Sequence, residues 1–465
     1  MSVGWLQAAA IVRAGAWFLV AIGVLIAAHE FGHFWVARRL GFKVLKFSIG
    51  FGRAIARRVG RDGVEYVIGA IPLGGYVKLA DEREAPVDAE DAPRAFNRRP
   101  VWQRILVLLA GAGANFLFAI VAFWLLFMSG VPGLKPVVGE VKPGSIAAAA
   151  GLKSGDEIVA VGEREVATRE SAMLAMLSEV VDGGRIELVL RRGDGRATAA
   201  LVVPEDRRRT LTEPGAWSDG IGFTFTRPHQ PVVVGKVLPD GAAAAAGLRA
   251  GDVIVALDGA PVDEFMDFRN AVSARPGALV TLGVRRGASL ISVPVTVRGE
   301  RDPSEPGKGI VGRIGIAPGG EAVFPKEMRT LERHGPLGAI RPALAETWSK
   351  SALTVKFLWR MLTGDVSLKN VSGPISIAAY AGISALEGVT AFVGFLAIIS
   401  ISLGVLNLLP IPILDGGQVL YQLIEAVKGA PLSPRAQALG QQVGIVLLLL
   451  LMSLAFYNDL ARHFG

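Results

Sequence analysis

Five histidines occur in this 465-residue chain, and two of them stand four positions apart in His29-Glu30-Phe31-Gly32-His33. On a helix, positions i and i+4 share a face. Two imidazoles then point at one ion, and the glutamate beside the first is placed to act on a water activated there. With so few histidines, a chance H-E-x-x-H is on the order of a few per thousand. Catalytic zinc takes three protein ligands and keeps one position open for water. The chain has no cysteine, which removes thiolate ligands, thiol nucleophiles and disulfide frameworks. His229, His334 and His463 fall in linker or terminal sequence and read as surface residues. The third ligand is therefore expected to be a carboxylate, and Asp415, in Asn407-Leu408-Leu409-Pro410-Ile411-Pro412-Ile413-Leu414-Asp415-Gly416-Gly417, is the best placed.

The elements that must carry these residues are apolar. Hydrophobic residues make up 51% of the chain and charged ones 19%, with a mean hydropathy of +0.44. That composition argues against disorder, against a purely soluble enzyme and against a nucleic-acid binder. Uncharged runs of 15, 30, 27 and 23 residues follow Arg13, Arg104, Glu387 and Arg435. A spanning helix needs about 20 apolar residues. The last three runs qualify outright, and the first does if His29, Glu30 and His33 lie inside its helix. A signal peptide is rejected, because the apolar helix continues beyond His29-Glu30 and no small-residue cleavage site follows. Ionisable groups in such a span are costly and functional by default. The bland alternative is a satisfied histidine pair with Glu30 bridged to an arginine.

Arg38, Arg39, Lys43, Lys46, Arg53, Arg57 and Arg58, then Arg94, Arg98, Arg99 and Arg104, load the loop between the first two spans. The positive-inside bias makes this loop cytoplasmic and explains most of the +8 net charge without nucleic acid. His33 and Asp415 then fall at the same, cytoplasmic depth. An aspartate at a helix end often only faces water. Pro410 and Pro412 weigh against that, since broken helix at membrane depth is tolerated only where it is buried or lines a cavity.

The middle of the chain repeats itself at an offset of 96. Val138-Gly139-Glu140-Val141-Lys142-Pro143 returns as Val234-Gly235-Lys236-Val237-Leu238-Pro239, and Gly151-Leu152-Lys153-Ser154-Gly155-Asp156 as Gly247-Leu248-Arg249-Ala250-Gly251-Asp252. A constant offset signals duplicated domains. Each unit resembles a PDZ domain in its circularly permuted bacterial order. The resemblance implies capture of an extended chain by strand addition, at Gly220-Ile221-Gly222-Phe223 in the first unit and Ile314-Gly315-Ile316 in the second. There Arg313 replaces the usual first glycine. A size filter without ligand is equally compatible.

Taken together, an apolar H-E-F-G-H helix, an N-x-x-P-x-P-x-L-D-G-G segment and two PDZ-like units between them resemble the site-2 protease family of intramembrane zinc metalloproteases. The resemblance covers essentially the whole chain. It implies a multi-domain membrane protein: a four-helix α core, a membrane-associated β hairpin and two tandem circularly permuted PDZ-like (α+β) domains outside the membrane. The implied boundaries are a first span at 1–40, a cytoplasmic-side loop with the re-entrant β element at 41–100, a second span at 101–132, PDZ-like domains at 133–228 and 229–320, a linker at 321–386, a third span at 387–417, a loop at 418–435 and a fourth span at 436–460. His29, His33 and Asp415 match the family's Zn²⁺ ligands, Glu30 its general base and Asn407 a substrate-orienting asparagine. Gly50, Phe51 and Gly52, with Gly74, Gly75, Tyr76 and Val77, match its β element, taken here as substrate-binding; Gly63 and Gly74-Gly75 are expected as turns. Ala110-Gly111-Ala112-Gly113-Ala114-Asn115 resembles a second-span segment of the family, with Ala112 where proline is usual.

The implied partners are single-span membrane proteins already trimmed outside, such as an anti-sigma factor, remnant signal peptides, peptide C-termini at the PDZ-like units, and the lipid bilayer of a bacterial inner membrane. The mixed apolar and basic residues of 338–365 read as an amphipathic helix on the outer membrane face, either a gate or an anchor. Two other classes compete. A catalytically inactive receptor would have no use for intact His29, Glu30, His33 and Asp415. A metal transporter would carry polar residues along several spans, which are sparse here.

Overall fold

The computed structural model describes residues 2–213, 216–301, 309–319 and 324–464. α1 (Ser2–Arg39) is a single helix. Arg38 and Arg39 complement the negative end of its dipole, and Gly41, at φ +79°, turns the chain away. A hairpin of β1 (Val44–Val59) and β2 (Glu65–Leu79) follows, with its turn at Gly60–Gly63. The inner part of β1 is flanked on both sides, since Ile49 lies opposite Gly75 and also opposite Ile68. Residues 75–79 thus form an outer segment beside α1, where a Cβ on Gly75 would meet Glu30 and Ile26. Gly74 and Gly75 are not a turn; they lie within β2, where Gly74, at φ +137°, makes room for the Phe51 ring. Ile55, Val59, Ile68 and Ile71 expose their side chains.

α2 (Val101–Ser129) crosses α1 at Gly32, where a Cβ would run into Ala110 O and the Ala114 side chain. Small residues let helix backbones approach this closely. After β3 (Val131–Leu134) come the two repeated units. The first contains β4 (Val138–Val141), α3 (Ile146–Ala149), β5 (Glu157–Val161), β6 (Arg164–Glu165), α4 (Arg169–Asp182), β7 (Arg185–Arg192), β8 (Gly195–Val202), α5 (Glu205–Leu211), α6 (Trp217–Ile221) and β9 (Phe223–Phe225). The second contains β10 (Val234–Val237), α7 (Ala242–Ala245), β11 (Val253–Leu257), β12 (Ala260–Pro261), α8 (Phe265–Ser273), β13 (Leu279–Arg286), β14 (Ser289–Thr296), β15 (Arg298–Arg301), β16 (Ile310–Arg313) and β17 (Ile316–Pro318).

Each unit builds a four-stranded antiparallel sheet, ordered β6-β5-β7-β8 and β12-β11-β13-β14, and a separate strand pair, β4 with β9 and β10 with β17. The repeated Gly-Asp turn is locked the same way twice. Arg192 Nε and Nη2 each donate at 2.7 Å to Asp156, and Arg286 Nε and Nη2 do the same to Asp252. The units differ where α5 and α6 stand. Leu211, Trp217 and Ile221 fill the first unit's core, whereas the second keeps a cavity of about 710 Å³ bounded by α8 and the Arg313–Ile316 segment.

β18 (Arg329–Glu332) returns to pair with β3, so residues 131–134 belong to this junction and not to the first unit's sheet. α9 (Ile340–Thr363) is the expected amphipathic helix. Trp348, Trp359 and Leu362 are exposed, while Ala343 packs against α2. α10 (Pro374–Glu387) starts where Gly373 and Pro374 predict a break. α11 (Val389–Asn407) packs Ala397, Ile401 and Val405 onto Ala119, Phe123 and Leu126 of α2.

The third apolar helix therefore stops at Asn407 and does not run to residue 417. Pro410 cannot donate within a helix and clashes with the preceding turn, and Pro412 repeats the interruption. A new helix, α12 (Asp415–Lys428), begins within the expected third span and fills most of the expected 418–435 loop. Its first turn nests tightly in the break, because a Cβ on Gly416 would strike Leu408 O and one on Gly417 Ile411 O. α13 (Pro434–Phe464) completes the chain. Among the described residues four helices, in α1, α2, α11 and α13, are long and apolar enough to cross a membrane.

Candidate metal centre

α1 presents His29 and His33 toward α2 and Glu30 toward Gly75 of β2, and α12 presents Asp415 from its first residue. His29 Nε2 and His33 Nε2 stand 3.2 Å apart, and Asp415 Oδ2 lies 3.2 Å from the first and 3.4 Å from the second. Two ring nitrogens and a carboxylate oxygen thus converge on one point, all ligand atoms lying within 4.8 Å of one another. Tetrahedral zinc with bonds of about 2.0–2.1 Å places its ligand atoms about 3.3 Å apart, which is the spacing found. Asp415 Oδ2 is buried and has no hydrogen-bond partner beyond the two ring nitrogens beside it, the surroundings expected of a carboxylate oxygen that shares a cation with them. Among the described residues this is the one cluster of at least three such donors. The residues fit Zn²⁺.

The glycine pattern of α2 makes room for the pair. A Cβ on Gly111 would run into His33 Nε2 and His29 Cε1. His33 Nδ1 donates to Val107 O at 2.7 Å, which leaves its Nε2 lone pair facing the cluster. Glu30 is buried at 8% exposure and borders, with His29, His33 and Asp415, a cavity of about 240 Å³ closed on the other side by Gly75, Tyr76, Val77 and Leu79 of β2.

The model of peptidase family M50 matches residues 17–451. The chain belongs to peptidase family M50. It is 44% identical over 451 residues to the regulator of sigma-E protease RseP of Salmonella typhimurium, covering 96% of this chain and 98% of that one. A Vibrio cholerae protein assigned as a zinc metalloprotease is 41% identical over 449 residues, with the same coverage. Among solved structures, the PDZ domain of an SdrC-like protein from Listeria monocytogenes matches at 23% identity over 19% of this chain and 88% of that one, with a TM-score of 0.17. This M50 peptidase is a zinc metalloprotease.

Within the M50 peptidase, the other residues singled out from sequence divide sharply. Gly75, Tyr76 and Val77 line the cavity. Gly50, Phe51 and Gly52 sit at the bend of β1, outside it; Gly50 and Gly52 have φ +90° and +80°, and Phe51 stacks on Tyr76 with centroids 6.1 Å apart. Asn407, half-buried in the last turn of α11, is not among the cavity's lining residues. Gly220 and Ile221 close α6 rather than forming an open loop, and Ile221 and Phe223 are buried in their unit's own core because α5 packs Leu211 over them. Ile314, Gly315 and Ile316 line the open cavity of the second unit.

His334 is not a plain surface residue, since it meets Phe127 edge-on and stands 3.3 Å from Glu332. His229 pairs with Glu264. The side chain of His463 lies outside the described residues. Sequence reasoning missed the supporting roles of Val107 and Gly111. Asn115, noted only as part of a motif, lies against His29. The small-residue run from Ala110 to Ala114 was the available signal.

Proposed function

We propose that this zinc metalloprotease hydrolyses peptide bonds in or beside the membrane-spanning segment of single-span membrane proteins. The observation that carries the reading is the convergence of His29, His33 and Asp415 from helices that meet beside apolar spans. His29, His33 and Asp415 hold the ion. Zn²⁺, when bound, acidifies water toward a pKa of about 7 and polarises a carbonyl. Glu30 takes a proton from the attacking water onto a carboxylate oxygen and delivers it to the leaving amine as the C–N bond breaks. The burial of Glu30 keeps bulk water from competing for that proton.

A helical substrate hides its scissile bond in its own hydrogen bonds and must be unwound first. Residues 75–79 of β2 border the cavity and offer an extended backbone for pairing with such a segment. Asn407 orients the substrate from the end of α11. The PDZ-like units are in circularly permuted order and stand on the periplasmic side of a bacterial inner membrane, with the metal centre toward the cytoplasm. Their common element order and 96-residue offset support a duplication. The second unit's open cavity is the better candidate for receiving a chain end. Similarity to a sigma-E regulating protease makes a pre-trimmed anti-sigma factor the first substrate class to try.

The test is zinc-dependent cleavage of a trimmed and an untrimmed single-span substrate by the purified protein. Glu30→Gln is expected to keep stoichiometric zinc and lose cleavage. Normal cutting by that variant removes Glu30 from the chemistry.

A further inference from the structure

Asn115 is fully buried in α2 and meets His29, its Nδ2 lying 3.2 Å from His29 Nδ1. Its Oδ1 is buried with no partner at all. With the amide in that orientation an N–H donor faces His29 Nδ1, which must then accept. The ring proton is thereby forced onto Nε2, where it points into the cluster and blocks the lone pair a cation needs. At the same time a buried amide oxygen is orphaned, which is unfavourable. Turning the amide about its Cβ–Cγ bond exchanges oxygen and nitrogen without moving another atom. Oδ1 then accepts from His29 Nδ1–H, and the Nε2 lone pair is freed toward His33 Nε2 and Asp415 Oδ2.

We infer that Asn115 is a positioning residue: in the zinc-loaded protein its side-chain oxygen holds His29 in the Nδ1–H tautomer and fixes the plane of the ring. The same task is done for His33 by Val107 O, one helical face of α2 thus serving both rings. Asn115 is itself held from the other side, where Ser400 Oγ on α11 donates to Asn115 O at 2.8 Å. A metal-ligating histidine usually donates its second N–H to such an acceptor, and losing the acceptor costs about 10–100-fold in metal affinity.

The inference rests on the reading of His29 as a zinc ligand, and the measurements separate the two. Zinc affinity of the purified full-length protein is measured by competition with a chelator. Asn115→Leu removes the acceptor at similar volume and is expected to weaken zinc about 10–100-fold. Asn115→Asp, which can only accept, is expected to stay within a few-fold of the parent. Parent-like affinity in Asn115→Leu overturns the inference, and so does equal weakness in both variants. A folding-independent check uses the parent protein labelled with ¹⁵N-histidine and loaded with zinc. Of its five histidines, two are expected to show a protonated Nδ1 beside a metal-bound Nε2, and a spectrum with only one such ring overturns the proposal. Undiminished zinc in His29→Ala instead sinks the metal-centre reading itself.

Discussion

The absence of one methyl group at residue 111 decides whether two imidazoles can converge. Gly111 and Gly113 are both glycines of α2, but only the first faces the rings. Gly111→Ala is expected to push His29 and His33 apart and weaken zinc at least about tenfold, measured as metal content after dialysis against a chelator. Gly113→Ala has nothing within 4 Å to meet and is expected to keep its zinc, with stability unchanged or raised by up to about 1 kcal/mol from helix propensity. Much of this site was legible at residue level, because i, i+4 histidines in an apolar helix carry their own geometry. The partners of those histidines were not. Asn115 and Val107 reach them only because α1 and α2 cross closely at Gly32, and no spacing within one helix encodes a crossing point.

At the level of elements, the break between α11 and α12 sets the position of Asp415. Pro410 and Pro412 made the interruption legible. The helix after it was hidden, because a 14-residue segment carrying Glu425 and Lys428 is too short and too polar to read as a span. Besides the nested first turn, an ion pair with α2 holds α12 in place: Arg104 Nη2 donates to Glu425 Oε1 at 2.6 Å and Nη1 to Oε2 at 3.1 Å. Arg104 is 4% exposed, so removing its partner leaves a buried charge. Glu425→Leu is expected to destabilise the protein by about 3 kcal/mol and to lower zinc occupancy with it, read by thermal unfolding in detergent. Adding Arg104→Met should recover most of that loss, since a buried pair replaced whole by apolar groups is often neutral.

For the molecule as a whole, the repeat was legible from a constant offset, yet the sequence likeness hid a difference in packing. The loop that matches a peptide-binding pattern better, Gly220–Phe223, is sealed by its own α5 and α6, while the poorer match borders open space. Side-chain packing from a separate segment settled this, and no motif reports it. The shared Asp–Arg lock offers a pH test. The Arg286 guanidinium beside Asp252 holds that carboxyl below its usual range. Its stabilisation is therefore complete above about pH 4, the ordinary aspartate value, and is lost as pH falls through the depressed one. Asp252→Asn is expected to cost about 1.5–3 kcal/mol at neutral pH, seen as faster hydrogen exchange in β11 and β13. The gap from the parent should close in strong acid.

The first unit grips α9 and the segment after it through charge. Lys350 reaches Glu170, Lys356 reaches Asp182 and Ser178, and Lys369 reaches Glu213. Every one of these pairs is partly in water, and such pairs are worth about 0–1 kcal/mol each. Ordinary salt, with a screening length of about 8–10 Å, weakens them together. Ionic strength is then a dial on how firmly the first unit holds α9 and the segment that follows it.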